Sequence, residues 1–449
     1  MGVIKKNAML AAIIFVVSIL YWAGLEKTPF HPDESTQIFM SSDFETFLKN
    51  PKELFWSVEK SSDLRQHYRE LDAPITRTWI GLARWLAHQP ELPQDWQWSK
   101  TWEENINNQA MPSQNLLFTA RFSIAALFPV MLWLMASSGQ KLLGRTGGWV
   151  VLILTASSAL ILLHTRRAMA EGWLVFTISL FIWSMVHRSN SPIWLGISSA
   201  LAFCSKQSAA PLLLISVAVL LVDRVQHKAK PSEYVQTGVR FLLSTAGVIF
   251  LLNPFLWAQP INAMGSAINN RQDLLNRQTA MFRELNPDSV MDAPLERAAG
   301  LLANLFFTPP AIEETANYIA DLEPDRSEYL AKPMNNLFRG FQGGTLFFTL
   351  FTFGVALITR RLQKSIHNPA SMTWLWLIAT FVLLSAGILW TAPLPFQRYV
   401  MPLVPFTLLF ASTTLVWLTD TLLNSMQFNR RPKKRNQTKK GLNHPDSTL

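Results

Sequence analysis

Long apolar runs alternate with short polar breaks along most of the chain, and two of the breaks are far longer than the rest. Runs approaching membrane-spanning length fall at about 8–25, 115–137, 147–164, 170–187, 192–205, 208–223, 236–257, 341–359, 372–391 and 399–419. A helix rises about 1.5 Å per residue and a bilayer core is about 30 Å thick, so about 20 residues cross it. Backbone inside lipid must satisfy its own hydrogen bonds, which a helix does. The pattern predicts an all-α integral membrane protein with ten transmembrane helices, or nine to eleven if a short run such as 192–205 is re-entrant.

The short polar breaks orient these helices. Lys5 and Lys6, then Lys141 and Arg145, Arg188, the group Arg224, Lys228 and Lys230, and the group Arg360, Arg361 and Lys364 all fall on one side of a ten-span arrangement. The basic tail from Arg430 joins them there. Positive charge is retained on the cytoplasmic side, so both termini are predicted to be cytoplasmic in the plasma (inner) membrane. The first run could imitate a signal peptide after Lys5 and Lys6, but it is long and lacks a small-x-small cleavage site, so a retained span is expected.

This topology sets the domain plan. A first helix within 1–25 leads to an outer segment 26–114, a bundle 115–257, a second outer segment 258–340, last helices 341–420 and a basic tail 421–449. The first outer segment contains the amphipathic stretch Ile75 through Leu86, with Ile80, Leu82 and Trp85 among its apolar positions, followed by Trp96, Trp98 and Trp102. These read as interfacial helices with aromatics at headgroup depth, or else as the core of a soluble subdomain. The second, with Pro309-Pro310, Pro324 and Pro333, reads as loop with short helices. The tail after Gln427 is expected to be disordered against anionic lipid.

Composition agrees and narrows the classes. The 449 residues are 49% hydrophobic and 16% charged, against about 25% charged in soluble domains. Mean hydropathy is only +0.16, which reflects the two polar segments. The net charge of +10 sits in clusters between apolar runs, a pattern of cytoplasmic loops and membrane-lipid contacts rather than of nucleic-acid binding. One cysteine, Cys204, excludes an intramolecular disulfide and a CxxC metal site. No Gly-rich phosphate loop is present, so nucleotide hydrolysis is not expected.

The candidate chemistry begins at Phe30-His31-Pro32-Asp33-Glu34-Ser35, where two carboxylates follow the first span by about eight residues. In isolation such a pair would simply cap the next helix. Ionisable groups at span ends are costly, however, and the outward ends gather many of them. They comprise Asp33, Glu34, Asp72, Arg121, His164, Arg166, Arg167, Glu171, Lys206 and Arg398. Arg166 and Arg167 run against the positive-inside bias in a very short outer loop. An anionic ligand would explain them, as would snorkelling to lipid headgroups. Acids and bases together on one face suit a site that binds a lipid-linked phosphate and activates an acceptor.

These stretches resemble a family. Pro32-Asp33-Glu34-Ser35 looks like the P-D-E-T of bacterial aminoarabinose transferases of lipid A. With the protein O-mannosyltransferases, those belong to the C superfamily of glycosyltransferases (GT-C), which use polyprenyl-phosphate sugars. Asp72-Ala73-Pro74-Ile75-Thr76-Arg77-Thr78-Trp79 is similar to the family's E-K-P-I-x-x-Y-W. Thr119-Ala120-Arg121, the stretch from Arg166 to Glu171, Lys206 after Leu201-Ala202-Phe203, and Gln397-Arg398-Tyr399 with Pro402 and Pro405 resemble further family motifs in order. The resemblance covers about residues 1–420.

The resemblance implies a GT-C fold and transfer of a sugar from a polyprenyl-phosphate donor to lipid A, another glycolipid, a cell-envelope polymer or a protein, with inversion. Asp33 would be the general base, with Glu34 and Asp72 orienting. Arg166, Arg167, Lys206 and Arg398 would hold the donor phosphate, supported by Arg121, Glu171 and Tyr399. Ala73 departs from the pattern, standing where the family has a donor-binding Lys. Arg77, about one helical turn further on, could replace that charge. No sequence spacing demands a cofactor, although a divalent metal could bridge carboxylates and phosphate. Two other classes compete. A transporter or flippase of lipid-linked saccharides would have related halves and mid-span charges, and a non-catalytic assembly subunit would not need outer-face acids.

Overall fold

The computed structural model describes residues 2–314, 318–364 and 368–430, and among them every regular element is helical. Seven runs are long and apolar enough to cross a membrane: Gln114–Ala156, Ala170–Arg188, Gln207–Gln226, Pro231–Leu252, Gly340–Lys364, Ala370–Thr391 and Gln397–Ser425. Two shorter apolar helices, Ala8–Trp22 and Pro192–Ser205, accompany them. The chain is thus an all-α, multi-pass membrane protein.

The run Gln114–Ala156 has 43 residues, which would be over about 60 Å if straight. It doubles back instead. Gly144 has φ of +76° and ψ of −173°, a conformation open to glycine. A Cβ on Gly148 would lie 3.1 Å from the Ala136 carbonyl oxygen, and one on Gly139 2.6 Å from a Val151 methyl. The absence of side chains at Gly139, Gly147 and Gly148 is what lets the two arms pack this closely. The returning arm breaks at Ser157-Ser158 and resumes as Ala159–His164.

Burial separates central from peripheral helices. Gln397–Ser425 is 89% buried within its apolar window and Ala170–Arg188 is 72% buried, whereas Pro231–Leu252 is only 17% buried. The two central helices carry Glu171 and Arg398. The core between them is aliphatic and aromatic, with Phe181, Ile182, Phe406 and Phe410 fully buried. Helix ends follow local chemistry. Pro231 opens its helix at a position where the missing N–H is harmless, and Asn253-Pro254 closes it, several residues before the expected end near 257.

The first long polar segment folds onto the bundle as Pro32–Phe39, Asp43–Lys49, Leu64–Leu71, Ile75–Leu86 and Trp102–Asn107. Ile38, Ile75 and Ile80 pack with Leu116, Ile124 and Trp173 of the bundle. The amphipathic stretch Ile75–Leu86 is helical, but Ile80 faces this protein core rather than an interface. Trp96, Trp98 and Trp102 surround Tyr318, and the buried Trp96 indole N–H donates to the Tyr318 hydroxyl at 3.1 Å. They form an aromatic cluster around Tyr318, with Trp96 buried and Trp98 and Trp102 half-buried.

The second long polar segment is more helical than expected. It opens with Pro260–Leu285, an uninterrupted 26-residue helix, followed by Pro294–Leu302, a wide turn Ala303–Phe307 and Ile319–Leu330. The prolines that suggested loops lie beyond the first of these helices. The last helix, Val404–Arg430, continues past the expected boundary at 420. The rest of the tail lies outside the described residues.

Candidate active site

Helix Pro32–Phe39 is built by its own N-terminus. The His31 ring Nδ1 accepts the Asp33 N–H at 3.1 Å, and Glu34 accepts the His31 N–H at 3.0 Å, a capping box with Pro32 at the first helical position. Burial, with the charges of Arg167 and Arg398, pushes the His31 imidazole well below its ordinary pKa. It is therefore neutral and able to accept.

Glu34 does more than cap. Its fully buried carboxylate also accepts from Arg121 Nε and Nη2 at 2.8 Å each and from the Ala168 N–H at 2.9 Å. A carboxylate has about four lone-pair sites, and the His31 N–H fills the fourth. Arg121 spends its remaining Nη1 donors on the Leu25 and Thr28 carbonyls, both at 2.8 Å. Glu34 is thus saturated by protein contacts.

Asp33 points elsewhere. It is 28% exposed and pairs with Arg398 Nη1, whose side chain is 16% exposed. On the other side of Arg398 stands Glu314, 4% exposed. It accepts the Arg398 main-chain N–H at 3.1 Å and lies 2.8 Å from Arg398 Nε through Oε2. Burial pushes the Glu314 carboxyl up to about 7; the Arg398 N–H, Lys206 and Arg167 oppose the shift and Glu171 adds to it. Glu314 was not found by sequence reasoning. It follows Pro309-Pro310 in a segment without periodicity, and only the tertiary fold brings it to Asp33.

A second opposite-charge pair lies alongside. Lys206 ends Pro192–Ser205 in extended backbone, its Nζ 2.5 Å from Glu171 Oε1 and 5.7 Å from the centre of the Tyr399 ring. Asp72 is half-buried. Its Oδ2 is 3.4 Å from the Gln37 side-chain nitrogen, and Gln37 is one turn beyond Asp33 on the same helix. Burial raises the Asp72 carboxyl, opposed first by Arg271 and then by Arg77 and Lys206. Arg271 comes from Pro260–Leu285 and was also missed, since nothing in a polar helix marks one arginine among several.

Three expected phosphate ligands or substitutes are used otherwise. Arg166 donates from Nε to the Tyr21 carbonyl at 3.1 Å and packs over the Tyr21 ring at 4.9 Å. It rests on Gly24, where a Cβ would come 2.5 Å from the guanidinium carbon. Arg167, 1% exposed, donates to the Pro29 carbonyl at 3.1 Å and the Ile312 carbonyl at 2.9 Å. Arg77 lies 3.2 Å from Asp43, which Arg69 also binds, and donates to the Asp72 carbonyl at 2.9 Å. It is buried and shares Asp43 with Arg69. His164 meets Gln397 at 3.2 Å, and Gln397 in turn accepts the Ala311 N–H at 2.7 Å.

Beside Tyr399 lies a narrow apolar cleft lined by Gly300, Leu301, Ile388, Leu389, Phe396 and Tyr399 among others. A larger void of about 360 Å³, lined by Leu154, Arg339 and Phe347 among others, shares no residue with the carboxylate cluster. Among the described residues no group of three or more His, Cys, Asp and Glu side chains is placed to hold a metal ion. The positive charge beside Asp33 comes from Arg398.

The backbone has known counterparts. It is similar to the apo form of the Archaeoglobus fulgidus oligosaccharyltransferase, with a TM-score of 0.51 and 10% identity over 93% of this chain and 52% of that one. It is also similar to ArnT from Cupriavidus metallidurans bound to undecaprenyl phosphate, with a TM-score of 0.48 and 12% identity over 94% of this chain and 63% of that one. The chain therefore spans about half the length of the archaeal enzyme. No family model and no curated protein matches the sequence. The fold is therefore similar to that of the archaeal oligosaccharyltransferase.

Proposed function

We propose that this protein is a membrane glycosyltransferase that moves a sugar from a polyprenyl-phosphate donor to an acceptor at the outer face of the plasma membrane, with both termini cytoplasmic. One observation carries the reading. Asp33 and Arg398 are part-exposed and paired, Arg398 packs over the Phe396 ring at 5.2 Å, and Lys206 lies 5.7 Å from the centre of the Tyr399 ring. Two cations among aromatic rings suit the phosphate of a lipid-linked sugar.

The chemistry follows from those charges. The anomeric C–O bond of the donor breaks, and its electron pair passes to the phosphate oxygen. Arg398 and Lys206 stabilise that charge where it develops, in a poorly hydrated site. The acceptor hydroxyl oxygen bonds to the anomeric carbon from the opposite face, inverting it, and its proton goes to Asp33. Asp72, bonded to Gln37, orients sugar or acceptor. Arg166 and Arg167 act through the backbone they hold rather than on the phosphate.

The test uses purified protein in vesicles with a radiolabelled polyprenyl-phosphate sugar. Asp33→Asn is expected to lose most transfer, about 10²–10⁴-fold for a general base. Transfer at the wild-type rate would remove Asp33 from that role. Movement of the labelled lipid across the vesicle without product would identify a flippase instead. Mass spectrometry of envelope glycans in a deletion strain would name the sugar and the acceptor.

A further inference from the structure

Arg398 lies between two carboxylates contributed by the two long polar segments. Asp33 takes its terminal nitrogen, and Glu314 takes its main-chain N–H and Nε. One positive charge therefore faces two potential negative charges before any donor arrives. The Glu314 Oε2 is buried and lies near Nε without forming a hydrogen bond. This half of the contact is ionic only, while the main-chain half fixes where the side chain of Arg398 begins.

Resting on the transferase reading above, we propose that Glu314 is a positioning residue that aims Arg398 at Asp33 and competes with the donor phosphate for the charge of Arg398. A phosphodiester entering the site would be a third anion around one guanidinium. In a poorly solvated site the most buried of the three is the one that gives up its charge. Glu314 is that group, with its carboxyl pushed up to about 7. The charged groups facing it are Arg398, Glu171 from Ala170–Arg188, Lys206 at the end of Pro192–Ser205, and Arg167. Its neighbour Glu313 is engaged by Arg326 of Ile319–Leu330 at 3.5 Å.

The sign follows from the direction of the shift. Below about pH 7 Glu314 is neutral and only Asp33 competes with the phosphate for Arg398; above it a second carboxylate competes. Donor affinity in the wild type therefore falls as pH rises through this range. Farnesyl-phosphoglucose is a suitable probe, because its phosphodiester carries one charge that does not titrate there.

Binding of that probe to the full-length protein is expected to weaken about five-fold between about pH 6 and pH 8, within the tenfold per pH unit that one proton allows. Glu314→Gln keeps an acceptor for the Arg398 N–H and removes the charge, so binding should be tight and flat across the same range. Glu314→Asp should restore a slope. A Glu314→Gln variant that keeps the wild-type slope, or one that weakens binding equally at both pH values, would overturn the proposal. Failure of the folded wild type to bind the probe at either pH would count against the transferase reading alone. In that case pH-difference infrared spectroscopy reads Glu314 directly. A protonated-carboxyl band titrating near pH 7 and lost in Glu314→Gln supports the proposal, and absence of that band in the wild type overturns it.

Discussion

Asp33 and Glu34 are neighbours on one helix and belong to different regions of the molecule. Around Glu34 lies a knot in which Arg121, Arg166 and Arg167 bind main-chain carbonyls, and Glu34 itself fills every acceptor site. Around Asp33 lies a looser group, in which Arg398 and Lys206 pair with carboxylates at part-exposed positions. Residue type does not separate these regions; partner type does. A guanidinium spent on backbone carbonyls cannot exchange them for a ligand without unravelling the chain. One paired with a side-chain carboxylate can.

Breaking the knot should have the largest effect. Glu34→Gln leaves Arg121 buried without its counter-charge, a loss of about 3–5 kcal/mol, read as a collapse of thermal stability in detergent. A folded variant of near wild-type melting temperature would show that the knot is not structural. Asp33→Asn, one residue away, should keep its melting temperature within a few degrees while losing transfer, and a matching loss of stability would erase the contrast. Arg398→Lys keeps the charge and loses the planar fork. It should lower kcat by about ten-fold or more, with little change in unfolding, because an interaction made in the transition state is weakened.

The smallest effect sharpens the comparison most. Arg167→Lys cannot span both carbonyls, and should lower stability by about 1–3 kcal/mol for a buried acceptor left unpaired, with donor KM unchanged. A raised donor KM at unchanged stability would return the arginine pair to the phosphate.

Much of this was legible in the sequence. The apolar runs at 170–187 and 192–205 mark the helices Ala170–Arg188 and Pro192–Ser205 because hydropathy over that length reports burial in lipid or protein alike. The stretch from Ile75 to Leu86 was visible from its periodicity, but not which surface its apolar face would meet. Lys206 and Arg398 are legible because each stands at the edge of an apolar run, and Asp33 because it follows the first run by about eight residues. Glu314 and Arg271 were not, since each lies in a polar segment where an acid or base is unremarked until the fold places it. The roles of Arg166 and Arg167 were hidden for another reason: carbonyl partners belong to every residue, so no side-chain pattern announces them.

The tie made by Arg167 sets limits on how the site can widen. One guanidinium joins Pro29 of the first polar segment to Ile312 of the second, close in sequence to Asp33 and Glu314. It works as the rivet of a calliper, fixing the two jaws near their tips. Parting them here would strand a buried guanidinium and two carbonyls, at about 1–3 kcal/mol for each group left unpaired. The contacts of Lys206 with Glu171 and of Asp72 with Gln37, made through side chains alone, can give way by rotamer changes. Under the proposed function, a bulky acceptor has its cheapest entrance beside Lys206 and Asp72 rather than past Arg167.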